Sequence, residues 1–179
     1  MGWVGHVYFG ADVWYEAEAS WDRLKADLKP NQYIEISYEN ILDDVAKRLS
    51  KLYEFLGVEY SARLLDYADN STYSLPDKGL SYQWKRKYSD RELQLVEGKL
   101  GGMITAKGYE LSGLKPVLPS ILERITLLVK NKHYRAMFQI NRYGLMMFLE
   151  GILVRRIGYS AWCESYKSRR NIVDIKYLK

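Results

Sequence analysis

The stretch Tyr33–Leu42, which reads YIEISYENIL, carries the strongest fold signal in the sequence. Within it, Tyr33–Tyr38 alternates larger apolar or aromatic side chains with polar ones, and this pattern predicts a β-strand. Apolar residues return at helical spacing from about Asp43, and Gly57 provides the left-handed position that commonly ends a helix. The stretch therefore predicts a strand that runs directly into an amphipathic helix, as in an α/β protein.

The segments on either side are predicted to be mainly helical. Residues 4–28 repeat apolar side chains at helical spacing, and Pro30 ends that pattern. A shorter helix is predicted over 62–68, followed by a loop over 69–88. Ser89 and Glu92 then form a capping box that predicts the start of another helix. The strand at Tyr33–Tyr38 is the only convincing one, so a sheet would be completed either by strands absent from this sequence or by strands within 1–30 or 110–120 that the pattern does not reveal.

Charge divides the chain near Pro116. Residues 1–114 contain 14 Lys/Arg and 18 Asp/Glu, whereas residues 115–179 contain 13 and 4, a net charge of +9. Lys115, Pro116 and Pro119 also form a turn-rich boundary. The sequence therefore predicts one domain at 1–114 and a basic helical tail at 115–179, with apolar stripes over 121–129 and 145–152.

Composition narrows the possible chemistry. Cys163 is the only cysteine, which excludes an intrachain disulfide, and with two histidines no Cys/His metal cluster can form. The first fifteen residues lack the pattern of a signal peptide, and the apolar runs are too short to span a bilayer. We therefore expect a cytoplasmic protein without a metal cofactor, and its basic tail makes association with a membrane surface a further expectation.

The order of these motifs resembles that of the sulfotransferase family. The segment Ile34-Glu35-Ile36-Ser37-Tyr38-Glu39-Asn40-Ile41-Leu42 is similar to the family segment RYEDL or FYEDM. In the family this segment is followed by a helix ending in Phe-Leu-Gly, here Phe55-Leu56-Gly57. Upstream, the segment from Gly5 to Trp14 looks like the helix that precedes that strand. Downstream, Trp84-Lys85 and Gly108-Tyr109-Glu110 resemble the end of the family domain. The resemblance covers residues 3–112.

This resemblance implies a partial P-loop-type three-layer α/β fold, dominated by helices, with a helical basic extension. It also implies a nucleotide donor, 3′-phosphoadenosine 5′-phosphosulfate (PAPS), and the residues that bind it. Tyr38 and Ser71-Thr72-Tyr73 match positions that contact adenine, and Lys78-Gly79 matches a 3′-phosphate-binding segment. Asp77 stands where the family has Arg. Each side chain also has a structural interpretation: Tyr38 and Tyr73 as packing residues, and Lys78 as a solvated charge.

The catalytic residues of the family match nothing in this sequence. Its catalytic histidine lies upstream of the matching region, so His6 is not assigned as the base. The sequence also contains no G-x-x-x-x-G-K-[ST] loop, whose backbone N–H groups would hold the phosphates. The resemblance thus predicts a sulfotransferase that moves a sulfonate from PAPS to an acceptor hydroxyl or amine, present as a partial chain that is inactive alone.

A second interpretation depends on the tail rather than on the resemblance. A net charge of +9 beside apolar helical stripes is typical of a non-catalytic interaction module that docks to a membrane surface or an acidic partner. Specific nucleic-acid binding has only this charge in its favour, and no recognised motif supports it. The acceptor substrate and the oligomeric state have no signal in the sequence.

Overall fold

A computed structural model describes residues 4–61, 63, 65–66 and 76–177, and these residues contain helices and loops but no strand. The helices, in chain order, are α1 Val7–Ala26, α2 Tyr38–Asp43, α3 Val45–Leu56, α4 Trp84–Lys87, α5 Asp90–Leu100, α6 Met103–Ala106, α7 Ile121–Tyr143, α8 Leu145–Ile157 and α9 Ser160–Lys176, with a 3₁₀ turn at Lys78–Leu80 between α3 and α4. The described part of the protein is therefore all-helical.

The predicted α/β fold is wrong for this part of the chain. Residues 33–37 form no helix and join no ladder, and Tyr38 begins a helix instead of ending a strand. The Ser37 side chain accepts the backbone N–H of Asn40 and so caps α2. An extended segment needs a neighbouring strand to bond its N–H and C=O groups, and the described residues provide none. The partial P-loop-type three-layer architecture is thus not formed here.

The amphipathic helix predicted after this segment is present. α3 begins after Asp44, whose side chain accepts the N–H of Lys47 at 3.0 Å, and it ends at Gly57. Gly57 has φ +70, a conformation that glycine adopts without the steric cost of a side chain. The prediction from the FLG sequence is confirmed at this helix end. The helix predicted over 62–68 lies largely outside the described residues.

The helix predicted at Ser89 begins as expected but ends early. Ser89 donates its backbone N–H to the Glu92 carboxylate at 2.9 Å, and Glu92 returns its N–H to the Ser89 hydroxyl at 3.4 Å. These two bonds confirm the capping box. The helix then stops at Leu100, where Gly101 has φ +56, and resumes as α6. The single predicted helix is therefore two helices joined at Gly101-Gly102.

The chain divides into two compact units. One, here called the terminal unit, comprises Met1–Trp14 and Gln94–Lys179, and the other, the central unit, comprises Tyr15–Leu93. α1 and α5 each contribute residues to both units. The division of the chain at residue 114 stays a prediction, since it concerns charge and family resemblance.

The core of the terminal unit forms where α1, α5, α6 and α7 supply buried apolar side chains. One cluster contains Tyr8, Leu95 and Leu127, and a second contains Ala11, Leu100 and Ile104. Leu95 is the most deeply buried large side chain of the described residues, at 2% exposure. Burying a leucine of this kind contributes about 1.5–3 kcal/mol. Because one side of α1 is buried in these clusters, its apolar side chains recur at helical spacing in the sequence.

The segment after α6 is hydrogen-bonded to α5. Ser112 donates its backbone N–H to the Glu97 carboxylate at 2.6 Å, and Val117 donates its N–H to the Gln94 carbonyl at 3.1 Å. Gly98 lies at this crossing, and a side chain there would stand 2.2 Å from the Val117 carbonyl oxygen. The missing side chain at position 98 is therefore what lets the backbone of the segment approach the helix.

The three C-terminal helices are joined by ion pairs. Asp174 of α9 accepts hydrogen bonds from Arg142 Nε at 2.9 Å and from the Tyr143 hydroxyl at 2.8 Å, both at the end of α7. Glu150 of α8 accepts from the Trp162 indole at 2.7 Å and from Arg169, both on α9. Two of the four acidic residues of the tail thus bond neighbouring helices rather than facing solvent alone.

Candidate nucleotide-binding site

The central unit brings together two segments that the sequence singled out. α2, which begins at Tyr38, packs against the 3₁₀ turn that begins at Lys78. Lys78 Nζ lies 3.5 Å from the Asp43 carboxylate at the other end of α2, a contact between residues 35 positions apart. Tyr38 itself is 53% exposed, so its ring is not a core residue. Both segments therefore contribute to one accessible surface.

Gly79 follows Lys78 and has its backbone N–H already engaged. The Asp77 carboxylate accepts that N–H at 2.7 Å and caps the 3₁₀ turn. Arg86 of α4 donates to the Gly79 carbonyl, which places a guanidinium at the same turn. An incoming phosphate would meet a cation and a backbone donor here, but it would first have to displace Asp77 from the N–H group.

The ion pair that holds the ammonium of Lys78 is weak. Its ion pair with Asp43 is largely solvent-exposed on both sides, with side-chain exposures of 70% and 80%. Exposed pairs of this kind contribute about 0–1 kcal/mol, because water screens the charges and two long side chains lose freedom. A phosphate could therefore take Lys78 from Asp43 at small cost. The two carboxylates, Asp43 and Asp77, thus occupy the two donors that the family resemblance assigns to a phosphate.

The chain from this turn through α4 adds aromatic and cationic groups. Lys85 Nζ lies 5.2 Å from the centre of the Tyr82 ring and 5.3 Å from that of Trp84. Tyr82 has φ +50, unusual for a residue with a side chain, and such backbone is found disproportionately at functional sites. Aromatic faces beside cations can bind a flat base next to a phosphate.

Three of the six predicted donor-binding residues, Ser71, Thr72 and Tyr73, lie outside the described residues. Of the other three, Lys78 and Gly79 lie in the 3₁₀ turn, which packs against the helix that begins at Tyr38, and Lys78 contacts the opposite end of that helix. Sequence reasoning missed Asp43 and favoured a solvated role for Arg86 within the basic run Lys85-Arg86-Lys87, although both residues contact the predicted segment. No local pattern indicates these contacts, because Asp43 resembles any exposed helix residue and Arg86 belongs to an ordinary basic run.

His6 makes a hydrogen bond at the start of α1. Its Nδ1 accepts the backbone N–H of Tyr8 at 3.2 Å, at the start of α1 in the terminal unit. Backbone N–H groups at the start of a helix lack partners within the helix, and a side-chain acceptor satisfies one of them. The structure thus gives His6 a capping contact, and a catalytic residue is assigned to no position.

Across the part of the chain that the structure describes, no three His, Cys, Asp or Glu side chains are grouped so as to hold a metal ion. Within the same residues, every helix is too short or too polar to traverse a lipid bilayer.

Comparison with known proteins gives one match. Residues 3–62 match the Sulfotransferase family. The match covers 60 of the 179 residues and includes α1, α2 and α3. The resemblance predicted from the YEN and FLG motifs is confirmed over these residues. No curated protein and no solved structure matches the chain. The resemblance beyond residue 62, which includes Lys78 and Gly79, stays a prediction.

Proposed function

We propose that the central unit carries the adenine and 3′-phosphate side of the donor site of a PAPS-dependent sulfotransferase. The observation that carries the proposal is the contact of Asp43 with Lys78, 3.5 Å apart. It joins a helix inside the family match to the predicted phosphate-binding turn outside it. The reaction would transfer a sulfonate to an acceptor hydroxyl or amine.

The chemistry of the site supports a phosphorylated adenine nucleotide. Tyr38 offers an exposed aromatic face, and by the family resemblance Tyr73 offers a second, each worth about 1–3 kcal/mol when a base stacks on it. Lys78 and Arg86 offer positive charge, and Gly79 offers a backbone N–H without a side chain in the way. In this proposal the 3′-phosphate displaces Asp77 and Asp43 from these donors.

The same proposal assigns no acceptor and no catalytic base to this chain. Sulfonate transfer needs donors placed around the sulfonate and the 5′-phosphate, and residues 1–179 contain no Gly-rich phosphate loop to supply them. We therefore propose that these residues bind the donor nucleotide but do not complete the reaction alone.

Removing the charge of Asp77 should strengthen nucleotide binding. Asp77→Asn keeps an oxygen that can cap the turn but removes a carboxylate beside the proposed phosphate position. A unit charge at about 4 Å is worth about 1 kcal/mol even in water, which corresponds to about fivefold in affinity. Calorimetric titration with 3′-phosphoadenosine 5′-phosphate should show this gain.

Asp27→Asn is the matched control for that titration, because Asp27 is exposed, carries the same charge and lies just after α1, 50 positions before Asp77 in the sequence. The control should bind as the wild type does. Absence of heat for all three proteins at millimolar nucleotide would reject the proposed function. An equal gain in both variants would show that only net charge matters.

A further inference from the structure

Tyr82 combines a strained backbone with an exposed ring. Its φ of +50 is the only positive value at a non-glycine position among the residues that the structure describes. A left-handed backbone costs free energy where a side chain is present, whereas glycine adopts it freely. Core packing does not offset this cost, because Tyr82 is 46% exposed and its ring stacks on no other aromatic ring in the described part of the chain. Neither the turn nor the core therefore explains a tyrosine here.

Hydrogen bonds hold Tyr82 next to the turn proposed to bind a phosphate. Lys85 donates its backbone N–H to the Tyr82 carbonyl at 3.0 Å, and Arg86 donates to the Gly79 carbonyl, which closes the loop between the turn and α4. Because Tyr82 follows Gly79 by three residues, their Cα atoms are at most about 11 Å apart. A phosphate at Gly79 and a flat group at Tyr82 can therefore belong to one ligand.

The contact between Lys85 and the ring does not account for the tyrosine either. Lys85 Nζ lies 5.2 Å from the centre of the Tyr82 ring, but it also lies 5.3 Å from that of Trp84. An exposed cation–π contact is weak, and Trp84, which lies in α4, provides one without a strained backbone. The contact does place a positive charge beside an exposed ring, which suits a ligand that joins a flat base to phosphate groups.

From this juxtaposition of a strained, exposed ring and the phosphate-binding turn, we propose that Tyr82 is a further nucleotide-binding residue on which the base of the nucleotide stacks. The inference rests on the proposed function and adds to it the residue that contacts the base beside the turn. Tyr38 cannot replace Tyr82 there, because Lys78 contacts Asp43 at the opposite end of α2, about 8 Å along the helix axis.

The two faces of a base allow several aromatic residues to take part. Tyr82 takes one face, which leaves the other for Tyr38 and Tyr73. Stacking uses the π-face that every base has, and it does not read the hydrogen-bonding edge. Tyr82 therefore contributes affinity for a nucleotide, and the choice of adenine depends on other contacts.

Calorimetric titration of the full chain with 3′-phosphoadenosine 5′-phosphate tests this assignment. Tyr82→Asn removes the ring but keeps a residue that tolerates the left-handed backbone, and Tyr82→Phe keeps the ring. Tyr159→Asn is the matched control. Tyr159 is 66% exposed, lies in the terminal unit and precedes α9, at a cap position that asparagine favours.

Tyr82→Asn should weaken nucleotide binding at least about fivefold, the lower end of what a stacked base contributes. Tyr82→Phe and the control should bind as the wild type does. In urea denaturation, the midpoint of Tyr82→Asn should be no lower than that of the wild type, because asparagine relieves the backbone strain. Weaker binding without lower stability is the result that a purely structural role would not produce.

The outcomes separate this inference from the proposed function. Absence of binding by the wild type at millimolar nucleotide would reject both. Wild-type binding that Tyr82→Asn retains in full would leave the nucleotide site in place and overturn the role of Tyr82. Binding by Tyr82→Phe as weak as that of Tyr82→Asn, or a loss of binding accompanied by a lower urea midpoint, would show that stacking is not the reason and would also overturn it.

Discussion

Purified residues 1–179 should show no measurable consumption of PAPS with any hydroxyl or amine acceptor. The sequence contains no Gly-rich loop for the 5′-phosphate and sulfonate, and the described donors at Lys78 and Gly79 are engaged by Asp43 and Asp77. Loss of a single transition-state donor lowers a rate by about 10²–10³-fold, and here a whole set is missing. Release of 3′-phosphoadenosine 5′-phosphate, followed over hours with an acceptor panel, measures this rate.

The informative comparison in that assay is Lys78→Ala. If the chain is inactive alone, wild type and Lys78→Ala should be indistinguishable from buffer. Sustained release by the wild type that Lys78→Ala abolishes would show that residues 1–179 contain a complete active site. In that case the proposed division of the reaction between this chain and other residues would be wrong.

The largest expected effect on stability is that of Gly98→Ala. The added carbon would stand 2.2 Å from the Val117 carbonyl oxygen, 2.6 Å from its carbonyl carbon and 2.9 Å from its nitrogen. All three atoms are backbone, so no side-chain rotation can relieve the clash. Because the segment must move, the Val117 N–H bond to Gln94 is strained and the packing around Leu95 is disturbed. We expect a loss of about 3 kcal/mol in the free energy of unfolding.

Gly102→Ala is the control for that substitution. Gly102 has an ordinary φ of −66, and a side chain there meets no atom within 4 Å. Alanine at such a position should stabilise by about 0.4–1 kcal/mol, because it restricts the unfolded chain. Urea denaturation of the three proteins measures both changes. Similar midpoints for Gly98→Ala and the wild type would contradict the close approach of residues 112–117 to α5.

The parts of the fold that local chemistry determines were predictable. The stop of α3 at Gly57 and the capping box of Ser89 with Glu92 depend on residues within one or two turns, and both are confirmed. The prediction of a strand at Tyr33–Tyr38 was wrong, because an alternating pattern indicates only which side chains would share a face. A strand also needs a partner, and Ser37 instead caps α2 through a bond to Asn40, three residues away.

The candidate site was predictable only in part. Family resemblance indicated Tyr38 and Lys78 separately, but the sequence contains no signal that Asp43 would meet Lys78 across 35 positions. Asp77 was recognised as a departure from the family, and the structure adds its physical consequence: its carboxylate accepts the Gly79 N–H. Exposed pairs of this kind depend on how the chain packs, which single-residue properties do not encode.

Backbone amide NMR of the chain titrated with 3′-phosphoadenosine 5′-phosphate tests the central claim most directly, because it detects weak binding and locates it. We predict shifts at Tyr38, Lys78 and Gly79, smaller shifts at Lys78 and Gly79 with adenosine 5′-phosphate, which lacks the 3′-phosphate, and none along α8 and α9. Unchanged spectra up to about 1 mM nucleotide, a very weak affinity, or shifts confined to residues 121–176, would contradict the account.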